Sequence, residues 1–287
     1  MNSVSIPLVS ICVPAYNNAG FLKATIKTVL RQTYDNIELI IVDDCSLDNT
    51  YDIALECKEN YEDEINPNKT IRVYRNEKNL GMSGNWNRCL ELCRGKYIKL
   101  LCADDLLSKD AVKKEVEILE KYQEANCVSS DTLFIDMNGR TKGKYARYHS
   151  SGLIDGRKAV RFSLFTRDYL GAPLANLFRK SVYEKIGGFD SNFVYILDYD
   201  FYARIYLEGS VFILHEPLNM FRIRRDSNTG KVMGGSKEKE YLAEHKRLLE
   251  KLKEQMRLKP WQINLSVFIR RVMSFLGKIY LLINLAK

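Results

Sequence analysis

The sequence is poor in histidine, with three in 287 residues, and its seven cysteines form no C-x-x-C pair. His149, His215 and His245 stand far apart and read as structural. An odd number of cysteines set mostly in apolar or helical stretches gives no disulfide framework, and buried free thiols predict a reducing compartment. No run of about 18 uncharged apolar residues occurs, so no segment is expected to cross a bilayer as a helix. The opening "MNSVSIPLVSICVPAY" has no basic start, and prolines cut its apolar run, unlike a secretory leader. Neither G-x-x-x-x-G-K-[ST] nor G-x-G-x-x-G is present, which removes the glycine-rich loops that cradle phosphates. Internal repeats and low-complexity tracts are also absent.

What is present is globular: 46% hydrophobic and 28% charged residues. The length suits one large α/β domain with a C-terminal appendage. A net charge of +8 points to an anionic partner such as a phosphorylated ligand or an anionic membrane surface. In the first 135 residues two periodicities alternate. "LVSICVPAY", "IELIIVDD", "TIRVYRN" and "KYIKLLCADD" read as strands. Helical spacing over residues 19–30, from the Asp48–Asn49–Thr50 cap toward Tyr61, over 83–93 and over 109–122 separates and follows them. Apolar strands alternating with helices predict a parallel sheet covered on both faces, with ligands at the carboxyl ends of the strands.

The unusual residues fall at those ends. Pro14, Ala15, Tyr16 and Asn17 follow the first strand and Asp43–Asp44 the second; Asn79–Gly81 follow the third and Asp104–Asp105 the fourth. Singly, each is an ordinary turn former or helix cap. Together they set carboxylates and amides along one edge, and paired carboxylates repel unless a cation neutralises them. Hard oxygen donors favour Mg²⁺ or Mn²⁺ brought with a phosphate-bearing ligand.

"VSICVPAYN", "IELIIVDDCSLDNT", "NLGMSGNWNRCL", "GKYIKLLCADDLL", "IGGFD" and "ILDYDFYARI" occur in the order and spacing of family 2 glycosyltransferases, which the chain resembles over residues 7–230. The resemblance implies an inverting, nucleotide-sugar-dependent enzyme of the GT-A fold: a Rossmann-like, mostly parallel sheet flanked by helices. It divides the chain into a transferase domain, 1–230, and a helical segment, 231–287. Within the domain a nucleotide-sugar half ends near 135 and an acceptor half near 230. Carried over by position, Pro14, Ala15 and Tyr16 line the nucleotide pocket and Asp44 contacts the base, while Asp43 holds the loop. Asn79, Gly84 and Asn85 pass under the ribose and sugar. Asp104 matches the last aspartate of the D-x-D element and so is the metal ligand. Cys102 stands at the first aspartate, a poor partner for a hard cation. Asp105 either joins the metal or caps the following helix.

In "LDYD" the resemblance makes Asp198 the general base, with Leu197 in place of the usual glutamate. Asp200 would share its face on a strand and point away on a helix, where it is a surface or capping residue. "FRIRRDSNT" resembles a loop that closes over the diphosphate; Arg224 replaces its histidine, so Arg222 and Arg224 are the diphosphate candidates. Implied partners are a nucleotide-sugar donor, a UDP-sugar by preference, and a saccharide or lipid-linked saccharide acceptor, with no nucleic acid. The implied setting is bacterial surface polysaccharide synthesis in the cytoplasm, at the inner face of the membrane. The departures at Cys102, Leu197 and Arg224 keep a non-catalytic sugar-nucleotide or saccharide binder as the alternative. Residues 237–258 form a charged helix, and residues 261–286 are unusually apolar, with Ser266, Arg270, Ser274, Lys278 and Asn284 near one stripe. That tail either packs on the domain or on a second subunit, as in a homodimer, or lies in the plane of a membrane.

Overall fold

The computed structural model describes residues 6–62, 68–146, 151–166, 169–224, 226–233 and 235–285. His149 lies outside them, as does the side chain of Asn284. The chain first alternates: β1 (Val9–Ala15), α1 (Ala19–Leu30), β2 (Ile37–Asp43), α2 (Thr50–Glu62), β3 (Lys69–Arg75), α3 (Gly81–Leu92) and β4 (Tyr97–Leu100). It continues through β5 (Leu106–Leu107), α4 (Ala111–Lys121), β6 (Ala125–Ile135), β7 (Thr141–Tyr145), β8 (Gly152–Asp155) and α5 (Gly156–Leu164). A 3₁₀ turn (Pro173–Ala175) leads to β9 (Asn176–Arg179), α6 (Lys180–Ile186), α7 (Leu197–Leu207) and β10 (Ser210–Arg222). Three helices end the chain: α8 (Asn228–Met233), α9 (Glu238–Met256) and α10 (Pro260–Leu285).

One ten-stranded sheet runs through both halves in the order β3-β2-β1-β4-β9-β6-β10-β5, with β7 on β6 and β8 on β10. The strands β3, β2, β1 and β4 are parallel. Every residue of β1 and β2 is buried, as strands covered on both faces require. Beyond β4 the sheet is mixed, because β9 runs antiparallel to both β4 and β6. Apolar clusters lie on the two faces; one takes in Leu248, Leu249 and Leu252 of α9. The order 3-2-1-4 puts a topological switch point between β1 and β4, and sheets of this kind form their binding crevice at the carboxyl ends of such strands. The loops after β1, β2 and β4 therefore meet at one edge.

The segment carrying Asp198 and Asp200 is helix, not strand. Nor does Asp105 cap a helix: its Oδ1 accepts the Arg222 main-chain N–H at 2.9 Å, across the sheet edge from α4.

Candidate functional site

The first wall is made by the loops after β1 and β2, which are laced together. The Asn17 N–H donates to Ser46 Oγ at 2.9 Å, and the Leu47 N–H returns to Asn17 Oδ1 at 2.8 Å. Asn17 and Cys45 both take left-handed backbone, at φ 50° and 59°, which is costly for a side-chain-bearing residue and is held by this lacing. Asp43 is buried; its Oδ2 accepts the Ser46 N–H and faces Arg75 Nε at 3.3 Å, so it braces the turn. Asp44 is also buried, and its Oδ1 accepts from Asn76 Nδ2 and from the Leu80 N–H, each at 2.8 Å. Asn85 donates to Val42 O and accepts from Asn76, tying α3 to the end of β2. Asn79 accepts the Gly81 N–H at the rim. At Gly84 a Cβ would come within 2.8 Å of the Leu80 Cβ, so the close approach of that turn requires glycine. Pro14 and Ala15 end β1 inside the core, whereas Tyr16 is 43% exposed at the mouth.

The acidic pair after β4 forms the floor. The Asp104 side chain is 18% exposed, and its Oδ2 accepts from Arg224 Nη1 at 3.1 Å. The same guanidinium donates to Asn18 Oδ1 and pairs with Asp226, closing a bridge over the crevice. Arg222 is nearly buried and donates from Nε to the Asp104 carbonyl and from Nη1 to the carbonyls of Asp136 and Met137. Its donors hold main chain, so of the two arginines Arg224 is the one turned to the crevice. Both guanidinium carbons lie about 5 Å from the centre of the Phe21 ring, at 5.1 and 5.0 Å.

Asp198 sits in the first turn of α7. Its Oδ2 accepts the Ala172 N–H at 3.0 Å and its Oδ1 the Tyr199 N–H at 2.9 Å. Ala172 is held at φ 58°, ahead of Pro173, a strained backbone whose visible effect is to aim that N–H at the carboxylate. Asp200 is fully buried, paired with Arg204 at 2.9 Å and with Lys251 of α9 at 2.8 Å. It is neither a surface residue nor a capping one but the anchor of α9 on α7. His215 meets Asp131 at 3.1 Å and His245 meets Ser266 at 2.9 Å, both away from the crevice.

Burial pushes the Cys102 thiol well above its ordinary range, and the carboxylates of Asp105, Asp104 and Asp198 push it further. Cys102 therefore stays a neutral thiol. Burial also raises the Asp104 carboxyl, against the opposing pull of Arg224. Asp105 is raised more strongly, by burial and then by Asp104, and its Oδ2 is buried with no hydrogen-bond partner.

These residues fit a divalent cation shared with a ligand rather than one caged by protein. Among the described residues no group of three or more His, Cys, Asp and Glu side chains is placed to hold a metal. Asp104 offers a partly exposed carboxylate at this edge, and the Oδ2 of neighbouring Asp105 is buried without a hydrogen-bond partner. One or two carboxylates completed by phosphate and water is how Mg²⁺ is usually bound. Arg224 now supplies the positive charge that such an ion would bring.

Several of these contributions had no sequence signal. Asn18 and Asn76 look like ordinary turn residues until Arg224 and Asp44 are set against them. The left-handed Ala172 is invisible in a sequence where alanine suggests helix.

A family model described as "Glycosyl transferase family 2" matches residues 10–187. The putative teichuronic acid biosynthesis glycosyltransferase TuaG of Bacillus subtilis is 36% identical over 126 residues, 44% of this chain and 46% of that protein. Among solved structures, S. aureus TarS 1–349 in complex with UDP superposes with a TM-score of 0.66 at 17% identity, over 91% of this chain and 69% of that one. The mannosyltransferase PcManGT from Pyrobaculum calidifontis, in complex with GDP-Man and Mn²⁺, superposes with a TM-score of 0.64 at 16% identity, over 99% of this chain and 75% of that one. Both share the GT-A fold of the present chain.

Proposed function

The chain belongs to glycosyltransferase family 2, and from that premise we propose an inverting hexosyltransferase that uses a nucleoside diphosphate sugar, a UDP-sugar by preference. Its acceptor is a hydroxyl of a saccharide or lipid-linked saccharide in bacterial surface polysaccharide synthesis. The UDP bound to TarS and the teichuronic acid role in the name of TuaG support the donor and the setting. The reading rests on one observation above all: at the carboxyl end of β4 the partly exposed Asp104 carboxylate meets the Arg224 guanidinium at 3.1 Å.

In this reading Asp44, fixed by Asn76 and Leu80, receives the base beside Pro14, Ala15 and Tyr16. Asn79, Gly84 and Asn85 shape the passage under the ribose. Asp198 takes the proton of the acceptor hydroxyl as that oxygen attacks the anomeric carbon. The bond from that carbon to the nucleoside diphosphate breaks on the opposite face, so configuration inverts and no covalent enzyme intermediate forms. The main-chain donors of Ala172 and Tyr199 keep the carboxylate oriented for this step. Arg224 turns from Asp104 to the leaving diphosphate, while Arg222 keeps the loop in place. A Mg²⁺ or Mn²⁺ held by Asp104 would neutralise charge on the diphosphate, in line with the Mn²⁺ bound to PcManGT.

Asp198→Asn keeps the size and polarity of the side chain and removes its basicity. Transfer should fall by about 10²–10⁴-fold, the usual share of a positioned base, with donor affinity within a few-fold of native. A variant that transfers at near-native rate removes Asp198 from the chemistry. A native chain that binds the donor but neither transfers nor hydrolyses it would instead be a sugar-nucleotide-binding relative.

A further inference from the structure

Helix α10 turns its polar side inward and its apolar side outward. Ser266, Arg270 and Ser274 are buried against the domain, with Ile263 as their apolar companion. Ser266 Oγ donates to the Leu164 carbonyl at 2.6 Å and meets His245 Nε2. Arg270 Nη2 donates to the Ser163 carbonyl at 2.9 Å and to the Tyr199 hydroxyl at 3.0 Å. Rolling the helix to bury its apolar face would give up these hydrogen bonds and leave His245 and the Tyr199 hydroxyl facing apolar side chains, so the orientation is pinned. Outward stand Trp261, Leu265, Phe268, Val272, Phe275 and Ile279, each between 40% and 62% exposed. Their steps of four and three keep them on one face, over roughly 27 Å of helix. A contiguous stripe of this length marks an interaction surface.

We propose that this stripe docks on an anionic lipid surface, with α10 lying in the interfacial plane. Charge selects this occupant. Pro260–Leu285 contains no aspartate or glutamate, while exposed Arg271 borders the stripe and exposed Arg257 and Lys259 precede it; Lys278, two turns after Arg271, is paired with Glu238 of α9. A second copy seated on the stripe would set Arg271 against like charge with no carboxylate on the helix to receive it. Anionic headgroups receive it, and tryptophan and phenylalanine suit the boundary beneath them. Among the described residues no helix is long and apolar enough to cross a membrane. Because α10 packs on α8, which closely follows Arg224, docking brings the mouth of the crevice toward the headgroups. On the transferase reading, a lipid-carried acceptor would present its hydroxyl there.

The test uses the full chain, without donor or acceptor, so that its outcome is independent of catalysis. Binding is followed by co-sedimentation with vesicles of equal parts phosphatidylglycerol and phosphatidylcholine, against phosphatidylcholine alone, and by quenching of Trp261 with brominated acyl chains. The native chain should partition onto the phosphatidylglycerol vesicles and be quenched. Phe268→Ser with Phe275→Ser should weaken partitioning by about tenfold or more, and Arg271→Glu by about fivefold or more. These side chains are exposed, so melting temperatures in lipid-free buffer should not move. Equal binding by the double serine variant, equal partitioning onto both vesicle types, or no binding by the native chain overturns the proposal. So does a lipid-free native dimer that the double variant turns into a monomer, which would assign the stripe to a second copy.

Discussion

Arg224→Ala should change two affinities in opposite directions. Arg224 Nη1 lies 3.1 Å from Asp104 Oδ2, with the two side chains 15% and 18% exposed. In this state the guanidinium neutralises the carboxylate that a divalent cation would need, so cation and arginine compete. Coulomb attraction between close charges near a protein surface is about 4 kcal/mol before desolvation and screening are subtracted. If about a third of that survives, Mn²⁺ alone should bind the alanine variant about tenfold more tightly than the native chain. The diphosphate works the other way. A hydrogen bond to a charged group contributes about 1.5–3 kcal/mol, so UDP alone should bind roughly 10–150-fold more weakly without Arg224. Both titrations are calorimetric, at about pH 8 where free carboxylates are ionised. Phe21 keeps Arg222 against its ring in the variant, and the main-chain bonds of Arg222 hold the loop. If both affinities fall together, Arg224 is a fold-holding residue. If neither changes, the bridge over the crevice has no part in ligand binding, and the competition argument fails.

Asp104→Ala should abolish the metal dependence of UDP binding while Cys102→Ser leaves it nearly intact; calorimetry with and without Mn²⁺ decides this, and UDP affinity that is equal in both conditions for the native chain would exclude a metal role. Lys99 and Glu115 form a fully buried pair at 3.0 Å, with Ser130 as a second partner of Glu115. Lys99→Met strands that carboxylate and should cost about 3–5 kcal/mol, roughly 10 °C in melting temperature, most of it recovered by adding Glu115→Leu. A single variant as stable as the double would refute the pairing argument. His245 is held neutral: Ser266 Oγ donates to Leu164, so it accepts from Nε2–H, and Nδ1 is buried without a partner. Burial, then Arg270, drives its folded-state pKa well below the ordinary value. The unfolded chain therefore binds the extra proton first, and stability should drop by up to about 1.4 kcal/mol per pH unit below about pH 6.5. Urea unfolding across that range, native against His245→Gln, should show the slope flatten; identical slopes would rule His245 out as its source.

The sequence alone settled the alternation of β1 to β4 with their helices, and the gathering of Pro14–Tyr16, Asp44 and Asp104 at one edge. Strand and helix periods are local, and parallel strands must present their carboxyl ends on the same side. It also located the polar stripe of α10, because helical spacing decides which residues share a face. The tertiary structure decided what each face meets. Arg224 reaches Asp104 across 120 residues of chain, and Arg222 turns its donors to carbonyls instead of to the crevice. The helix at Leu197–Leu207 separates Asp198, held toward Ala172, from Asp200, held by Arg204 and Lys251; the two-residue spacing is compatible with either secondary structure until packing chooses. The inversion of α10 has the same origin. A pattern of apolar and polar residues names two faces, but the carbonyls of Ser163 and Leu164 and the ring of Tyr199 are what Arg270 and Ser266 meet on the inner side, leaving Phe268 and Phe275 outside.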